Sequence, residues 1–496
     1  MSATCLSDLE LLIRSSHPLI VLESEEEERA HTLLEEAVER LGLSLFRWNA
    51  GQGLRRAREP QPVYGTLKLD GCLEHVAASG LRGAVYLLDG ALPLLTDPER
   101  LAKLLSLGEP LTRVASTLVL SGHMEGLPDY VQRRVSRVKL EPPSDHDYYQ
   151  LVNGILADVR KRMKVQMQLD AEDTATLIGH LRGLSLYEVR RLVTQAILRD
   201  GKLAKDDLGY VLRGKRELVE KSGVLEYFAA EQGLDEIAGL ARLKQWLALR
   251  APAFREPSRA AEFGLTPPRG LLLLGVQGCG KSLCAKAVAQ SWSLPLLRLD
   301  PARLYDKYLG ESEKNLRRAI ELCERLAPIV LWVDELEKVF GSQKGEDSGA
   351  SQRLLGAFLT WLQEKKESVF VVATSNDVSS LPPELLRKGR FDELFFVDLP
   401  EQATRMEILR LHLQKRRRNP DDFALASLAE AAHGFSGAEL EQVVVAALYT
   451  AFGEASELSS RHLADEIELT RPLSLTMAEP IAKLRAWAST RTVSAD

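Results

Sequence analysis

Residues 270–283 read GLLLLGVQGCGKSL, and the rest of the chain is organised around them. Leu271 to Leu274 form a short apolar run, suited to a strand buried on both faces of a parallel sheet. The next residues, Gly275, Val276, Gln277, Gly278, Cys279, Gly280, Lys281 and Ser282, satisfy G-x-x-x-x-G-K-[ST] at every fixed position. The glycines permit backbone turns barred to other residues, so that successive N–H groups converge on an anion. Lys281 is expected to neutralise the β- and γ-phosphates and Ser282 to offer a hydroxyl to Mg²⁺. A helix opening near Leu283 points its positive end at the same place. ATP and Mg²⁺ are the cofactors these residues call for. A glycine-rich turn carrying Lys-Ser by coincidence is the competing account. The order of strand, loop and helix speaks against it.

At 496 residues the chain exceeds one core, and its length suggests roughly three domains. Hydrophobic residues make up 45% and charged residues 27%, so a folded globular chain is expected. The net charge of −6 argues against a general nucleic-acid binder. Basic runs at Lys415 to Arg418 and Arg160 to Lys164 read as solvated helix faces. Five scattered cysteines, with no C-x-x-C, fit a reducing compartment. Cys279 inside the phosphate loop could be oxidation-sensitive, with space filling as its default role. No apolar run approaches the roughly 18 residues of a membrane span, and MSATCLSDLE lacks the features of a secretory signal. A soluble, cytoplasmic protein is expected.

The first 205 residues conceal a repeat. PLIVLES parallels GLLLLGV, LSLFRWNAGQGL parallels LPLLRLDPARL, and AVYLLDG parallels VLWVDEL. TLVLSGH parallels FVVATSN, and matching pairs follow at GLPDYVQRRVSRVKLEPP and RGLSLYEVRRLVTQAIL. The order of pieces is the same in both halves, which favours internal duplication over two unrelated α/β domains. Chemistry is missing from the first copy. Glu25 to Glu28 stand where a phosphate loop would be, Gly90 where the second copy has Glu335, and His123 where it has Asn376. Such a run of like charge repels nucleotide.

In the second copy, Ile329 to Val333 form a buried-strand run that ends in Asp334-Glu335. A carboxylate after such a strand holds Mg²⁺ in phosphate-loop ATPases, which assigns Asp334 to metal and nucleotide. Glu335 beside it can polarise the attacking water. Asn376, ending the strand Phe370 to Ala373, would face the γ-phosphate.

Over about residues 232–475 the chain resembles the AAA family of ring-forming ATPases. Pro383 to Asp392 (PELLRKGRFD) resembles that family's arginine-finger segment. The resemblance implies that Arg387 and Arg390 serve a neighbouring subunit's nucleotide. It implies a base contact from His412, cofactor binding by Glu236 and Ala238 in the entry motif, and close approach of Gly437 and Ala438 to the phosphates. It also implies a pore loop at Lys307, Tyr308 and Leu309, where an aromatic grips threaded polypeptide; packing of Tyr308 on its own domain is the alternative. Ala238 departs from a frequent Gly, and Leu336-Glu337 from a common Ile-Asp. No H-E-x-x-H occurs, so no fused zinc protease of that kind is expected. The whole layout resembles an uncharacterised family encoded in cyanobacteria and, as a hypothetical chloroplast reading frame, in algal plastids.

The expected fold is α/β, a phosphate-loop parallel-sheet AAA module with a helical lid, preceded by a degenerate AAA-like α/β domain. The expected domains are a nucleotide-free copy at 1–205, a helical connector at 206–231, the ATPase core at 232–400, and the lid and tail at 401–496. The expected activity is ATP hydrolysis by a homo-oligomeric ring, a hexamer, acting on a protein client. The alternative is a nucleotide-switched scaffold in a photosynthetic cell, with slow turnover and no threading. A nucleic-acid motor ranks below both on charge.

Overall fold

The computed structural model describes residues 3–496 except 25, 58, 60, 123, 125–126, 164–165, 222, 229–232, 305–310, 341–347 and 388. Two compact units make up the chain, Met1–Val211 and Leu212–Asp496.

In the first unit the strands are β1 (Leu19–Glu23), β2 (Ser44–Asn49), β3 (Gly53–Arg56), β4 (Ala84–Leu88), β5 (Thr117–Ser121) and β6 (Ser136–Lys139). They form one sheet in the order β3-β2-β4-β5-β1-β6, parallel except for the β2–β3 hairpin. Strands β1, β4 and β5 are buried along their whole length. Their side chains alternate between two cores, as a pleated strand requires. Ile20, Leu22, Val85 and Val119 meet Leu9, Leu33 and Leu34 on one face. Val21, Tyr86 and Leu118 meet Leu73 and Leu104 on the other. A helical part follows at Asp145–Arg160, Ala171–Leu181 and Leu186–Asp200, beside a short pairing of β7 (Gln166–Met167) with β8 (Lys202–Leu203).

In the second unit the strands are β9 (Leu225–Phe228), β10 (Gly270–Gly275), β11 (Leu296–Leu299), β12 (Ile329–Val333), β13 (Val369–Ser375), β14 (Glu393–Val397) and β15 (Val493–Ser494). Their order is β15-β14-β10-β13-β12-β11-β9, with only the β9–β11 pair antiparallel among the described strands. The leucine run of β10 divides by parity. Leu271 and Leu273 enter the core that holds Trp292 and Phe370, and Leu272 and Leu274 enter the one that holds Phe340 and Phe358. A separate helical cluster, built on Gln402–Lys415, Leu425–Ala431, Gly437–Gly453 and Ser460–Leu469, has its own apolar centre around Leu409, Leu440 and Leu463.

The five strands common to both sheets lie in the same spatial order, β2-β4-β5-β1-β6 in the first and β11-β12-β13-β10-β14 in the second. Pairing registers extend the likeness to single residues. Val119 opposes Ile20 and Leu87, while Val372 opposes Leu271 and Trp332. With the strand-end carboxylates Asp89 and Asp334 equated, Ser121 falls on Thr374, and His31 meets Asp89 as Ser282 meets Asp334.

The expected helical connector is helical only over Asp206–Lys221. It then runs as β9, because Leu225 reaches the core and its backbone finds partners on the free edge of β11. Beyond the lid, the tail returns to the sheet as β15 on β14, where Ala495 is fully buried.

Candidate nucleotide-binding site

The loop from Gly275 to Ser282 leaves β10 and enters the helix Lys281–Trp292. Gly275 is required by proximity, since a Cβ there would lie 2.0 Å from the Val397 carbonyl oxygen. Gly278 and Gly280 take left-handed φ values of 78° and 89°, which curl the loop around its own amides. Lys281 is buried, and its Nζ donates to the carbonyls of Gly275 at 2.8 Å and Val276 at 2.7 Å. Burial pushes its pKa down to about 8. Burial also pushes the Cys279 thiol up to about 12. The thiol therefore stays protonated, which counts against an oxidation-sensitive Cys279.

Three strand ends meet below the loop. Asp334, just past β12, accepts from Ser282 Oγ at 3.0 Å and from Thr374 Oγ1 at 2.6 Å. Thr374, at the end of β13, also accepts the backbone N–H of Glu335 at 3.0 Å. Glu335 has a left-handed φ of 50° and its carboxylate meets Lys338 Nζ at 2.6 Å. The backbone N–H of Asn376 donates to Glu337 Oε1 at 3.1 Å. Glu337 thus holds the residue expected to face the γ-phosphate, while its second oxygen is buried with no hydrogen-bond partner among the described residues.

A cavity of about 370 Å³ opens over this corner. Gln277 to Leu283, Asp334, Glu335 and Asn376 line it together with Glu236, Ala238, His412, Gly437 and Ala438, so the residues expected at the nucleotide from the loop, the entry segment and the lid share one cavity. Val276 is buried and lines a neighbouring cavity instead. Glu236 pairs with Lys415 at 3.4 Å. His412 lies 3.5 Å from Glu441, and burial, helped by Arg416 and Lys415, holds its imidazole below its ordinary range. Ser436 caps the helix Gly437–Gly453, and the Ala438 amide donates to the Gly278 carbonyl at 2.9 Å, joining lid to loop.

Mg²⁺ keeps several waters and takes one or two carboxylates plus substrate phosphates. The Ser282 hydroxyl and Asp334 carboxylate, side by side at the loop, fit that need. A full protein cage is neither required nor present among the described residues.

Arg387 and Arg390 do not line this cavity. Arg387 is exposed and makes no side-chain hydrogen bond or ion pair among the described residues, whereas Arg390 donates to the Leu359 carbonyl at 2.7 Å. Lys307, Tyr308 and Leu309 lie outside the described residues, as does His123. Two contributors escape sequence reasoning. Thr374 sits inside the string Thr-Ser-Asn with nothing to single it out. Asp496 lines the cavity and accepts the Leu240 amide, from a tail far away in the chain.

The equivalent corner of the first unit is filled from within. Asp89 Oδ1 accepts from Ser121 Oγ at 3.0 Å and lies 2.7 Å from His31 Nε2. Gly90, with φ of 65°, repeats the left-handed turn of Glu335 without its carboxylate.

In sequence, the chain matches known protein families along most of its length. The profile of the ATPase family associated with various cellular activities (AAA) matches residues 271–399. Profiles of the SpoVK-like AAA ATPase match residues 5–140 as its N-terminal domain and 146–222 as its second domain. The chain is 33% identical over 487 residues to the "Uncharacterized AAA domain-containing protein ycf46" of Trieres chinensis, covering 97% of this chain and 96% of the relative. The ycf46 protein of Guillardia theta is 34% identical, with 97% of this chain and 94% of the relative covered. That of Pyropia yezoensis is 33% identical, with 97% of each covered.

Proposed function

The chain belongs to the AAA-domain family that includes the ycf46 proteins, and on that footing we propose that its second unit hydrolyses Mg·ATP within a homo-oligomeric ring, a hexamer, that remodels or threads a protein client. The observation that carries this reading is the meeting of Ser282 and Thr374 on one oxygen of Asp334, directly under the Lys281 loop and beside Glu335. Bound Mg²⁺ supplies charge neutralisation to the phosphates. The Lys281 ammonium binds β- and γ-phosphate oxygens, and the loop amides orient them. Asp334 and Ser282 hold the metal. Glu335 takes a proton from the attacking water, and Asn376, anchored through Glu337, orients that water toward the γ-phosphoryl group. Arg387 and Arg390 act on the neighbour's nucleotide; the exposed, uncommitted side chain of Arg387 supports that assignment.

The domain division proposed is a nucleotide-free copy at 1–205, a connector at 206–231, a core at 232–400 and a lid with tail at 401–496. The compartment proposed is the cytoplasm, or the plastid stroma where the gene is plastid-encoded. No described helix is long and apolar enough to cross a membrane.

The internally filled corner at Asp89 favours a second reading, a scaffold whose slow ATP turnover controls assembly while the first unit binds partners. Client capture by Glu335→Gln held in ATP, followed by a remodelling assay on the captured client, separates the two. Loss of remodelling in Tyr308→Ala at an unchanged ATPase rate supports threading. Equal remodelling by wild type and Tyr308→Ala favours the scaffold.

A further inference from the structure

The first unit places a carboxylate of its own where the second unit receives phosphate. The helix that follows β1 has Glu26 at its N-cap, the position that Gly280 of the phosphate loop holds in the helix that follows β10. The helical parts of the two units correspond too. Ser185 and Ser436 both close a capping box, with Glu188 and Glu439 respectively, so Leu186 corresponds to Gly437 at the first helical position. Gly437 lines the nucleotide cavity. The amide of Leu186 points instead at Glu26 and donates to its Oε1 at 2.6 Å.

The other carboxylate oxygen of Glu26 faces Arg29 Nη1 at 3.4 Å, and that nitrogen also donates to the Glu141 carbonyl at 2.6 Å. The Arg29 and Glu26 side chains retain only 7% and 11% of their exposure. Glu141 lies on the segment between β6 and the helix Asp145–Arg160. One carboxylate and one guanidinium therefore join three pieces: the loop after β1, the start of the helix Leu186–Asp200, and the link between sheet and helical part. A helix N-terminus favours an anion there, whether a phosphate or a side chain supplies it.

We propose that the Glu26 carboxylate is a built-in substitute for a nucleotide phosphate, clamping the helical part of the first unit to its sheet so that this unit holds one conformation whatever nucleotide the chain carries. In a nucleotide-dependent lid the bridging anion arrives and departs with the ligand. Here it is covalently part of the chain. The first unit then offers a surface of constant shape. The inference rests on the nucleotide-free reading of the first unit and is independent of hydrolysis by the second.

Hydrogen–deuterium exchange on the full chain tests it, followed over the peptide 183–190. Wild type is expected to exchange there at one rate with and without saturating Mg·ATPγS. Glu26→Ala, which deletes a hydrogen bond to a charged acceptor, is expected to exchange about tenfold faster or more. Glu26→Gln keeps an acceptor and is expected to fall between, and it serves if the alanine variant does not fold. Unchanged exchange in both variants, or a nucleotide-dependent rate in wild type, overturns the clamp. A Lys281→Ala chain, with its second site disabled, distinguishes the remaining failure. ATP-dependent protection of residues 24–31 in that chain would overturn the nucleotide-free reading itself.

Discussion

Thr374 Oγ1 donates to Asp334 Oδ1 at 2.6 Å while accepting the amide of Glu335, so one hydroxyl fixes both acidic residues at the end of β12. A partner that orients a metal-holding carboxylate is worth about 10–100-fold in activity or metal affinity. Thr374→Val preserves shape and removes both bonds. ATPase kcat is expected to fall by about that factor, with ATP affinity changed less, in steady-state assays over a Mg²⁺ titration. A kcat equal to wild type at every Mg²⁺ level would remove Thr374 from the site.

Glu335 is the test of hydrolysis itself. Glu335→Gln retains volume and loses the base, so kcat is expected to drop by about 10²–10⁴ while ATP stays bound. Normal turnover in purified Glu335→Gln would end its assignment as base.

The backbone of Glu335 adds a second expectation. A non-glycine residue at φ of 50° stores about 1 kcal/mol or more. Gly90 takes the same turn in the first unit free of that cost. Glu335→Gly should therefore raise the melting temperature of the second unit by a few degrees while abolishing hydrolysis. A lower melting temperature would show that the carboxylate contributes more than the turn costs.

Lys281 makes affinity depend on pH. Its pKa is depressed by burial to about 8, below the unfolded value, so between these values the unfolded chain binds the extra proton. Stability without nucleotide should rise as pH climbs from about 8 toward 10.5, since the burial penalty on the ammonium disappears. ATP binding should move the opposite way, weakening by about tenfold per pH unit once Lys281 is neutral. Calorimetric titrations and thermal melts at pH 7 to 10 read both. Parallel trends in stability and affinity would contradict the buried ammonium.

Arg387 separates catalysis in trans from a surface role. Arg387→Ala should leave the melting temperature unchanged, because the side chain is exposed. It should reduce ATPase activity by about 10³ or more. Mixing it with Lys281→Ala should restore part of the activity, each chain retaining what the other lacks. With co-assembly verified, silence at every mixing ratio would exclude a finger at this position. Arg390→Ala is a poorer probe, since Arg390 also holds the Leu359 carbonyl of its own chain.

The central strand, its loop and the acidic pair were legible because each rests on local sequence: a leucine run, a glycine spacing, a carboxylate after a strand. The repeat was legible as an order of pieces, and the identical strand order carries it into three dimensions. Edge strands were not. β9 and β15 are four and two residues long, too short for any period to register, and they exist because free edges offer unpaired backbone. Thr374 and Asp496 were missed for a related reason. Their roles are set by what folding brings beside them, and each residue type is ordinary in its own stretch. The carboxylate of Glu26 shows the converse, a visible charge run whose reading as mere repulsion missed its bond to Leu186.

The return of the tail to the sheet has a consequence for how the protein is made and handled. Ala495 donates its backbone N–H to the Phe396 carbonyl and accepts that of Leu243, and Asp496 receives the Leu240 amide at the cavity wall. A ribosome emits these residues after the other described residues of the site, so the cavity wall closes only once they have been made. A partner pulling Val493–Ser494 from β14 would register as lost ATP affinity, though nothing attached there touches nucleotide.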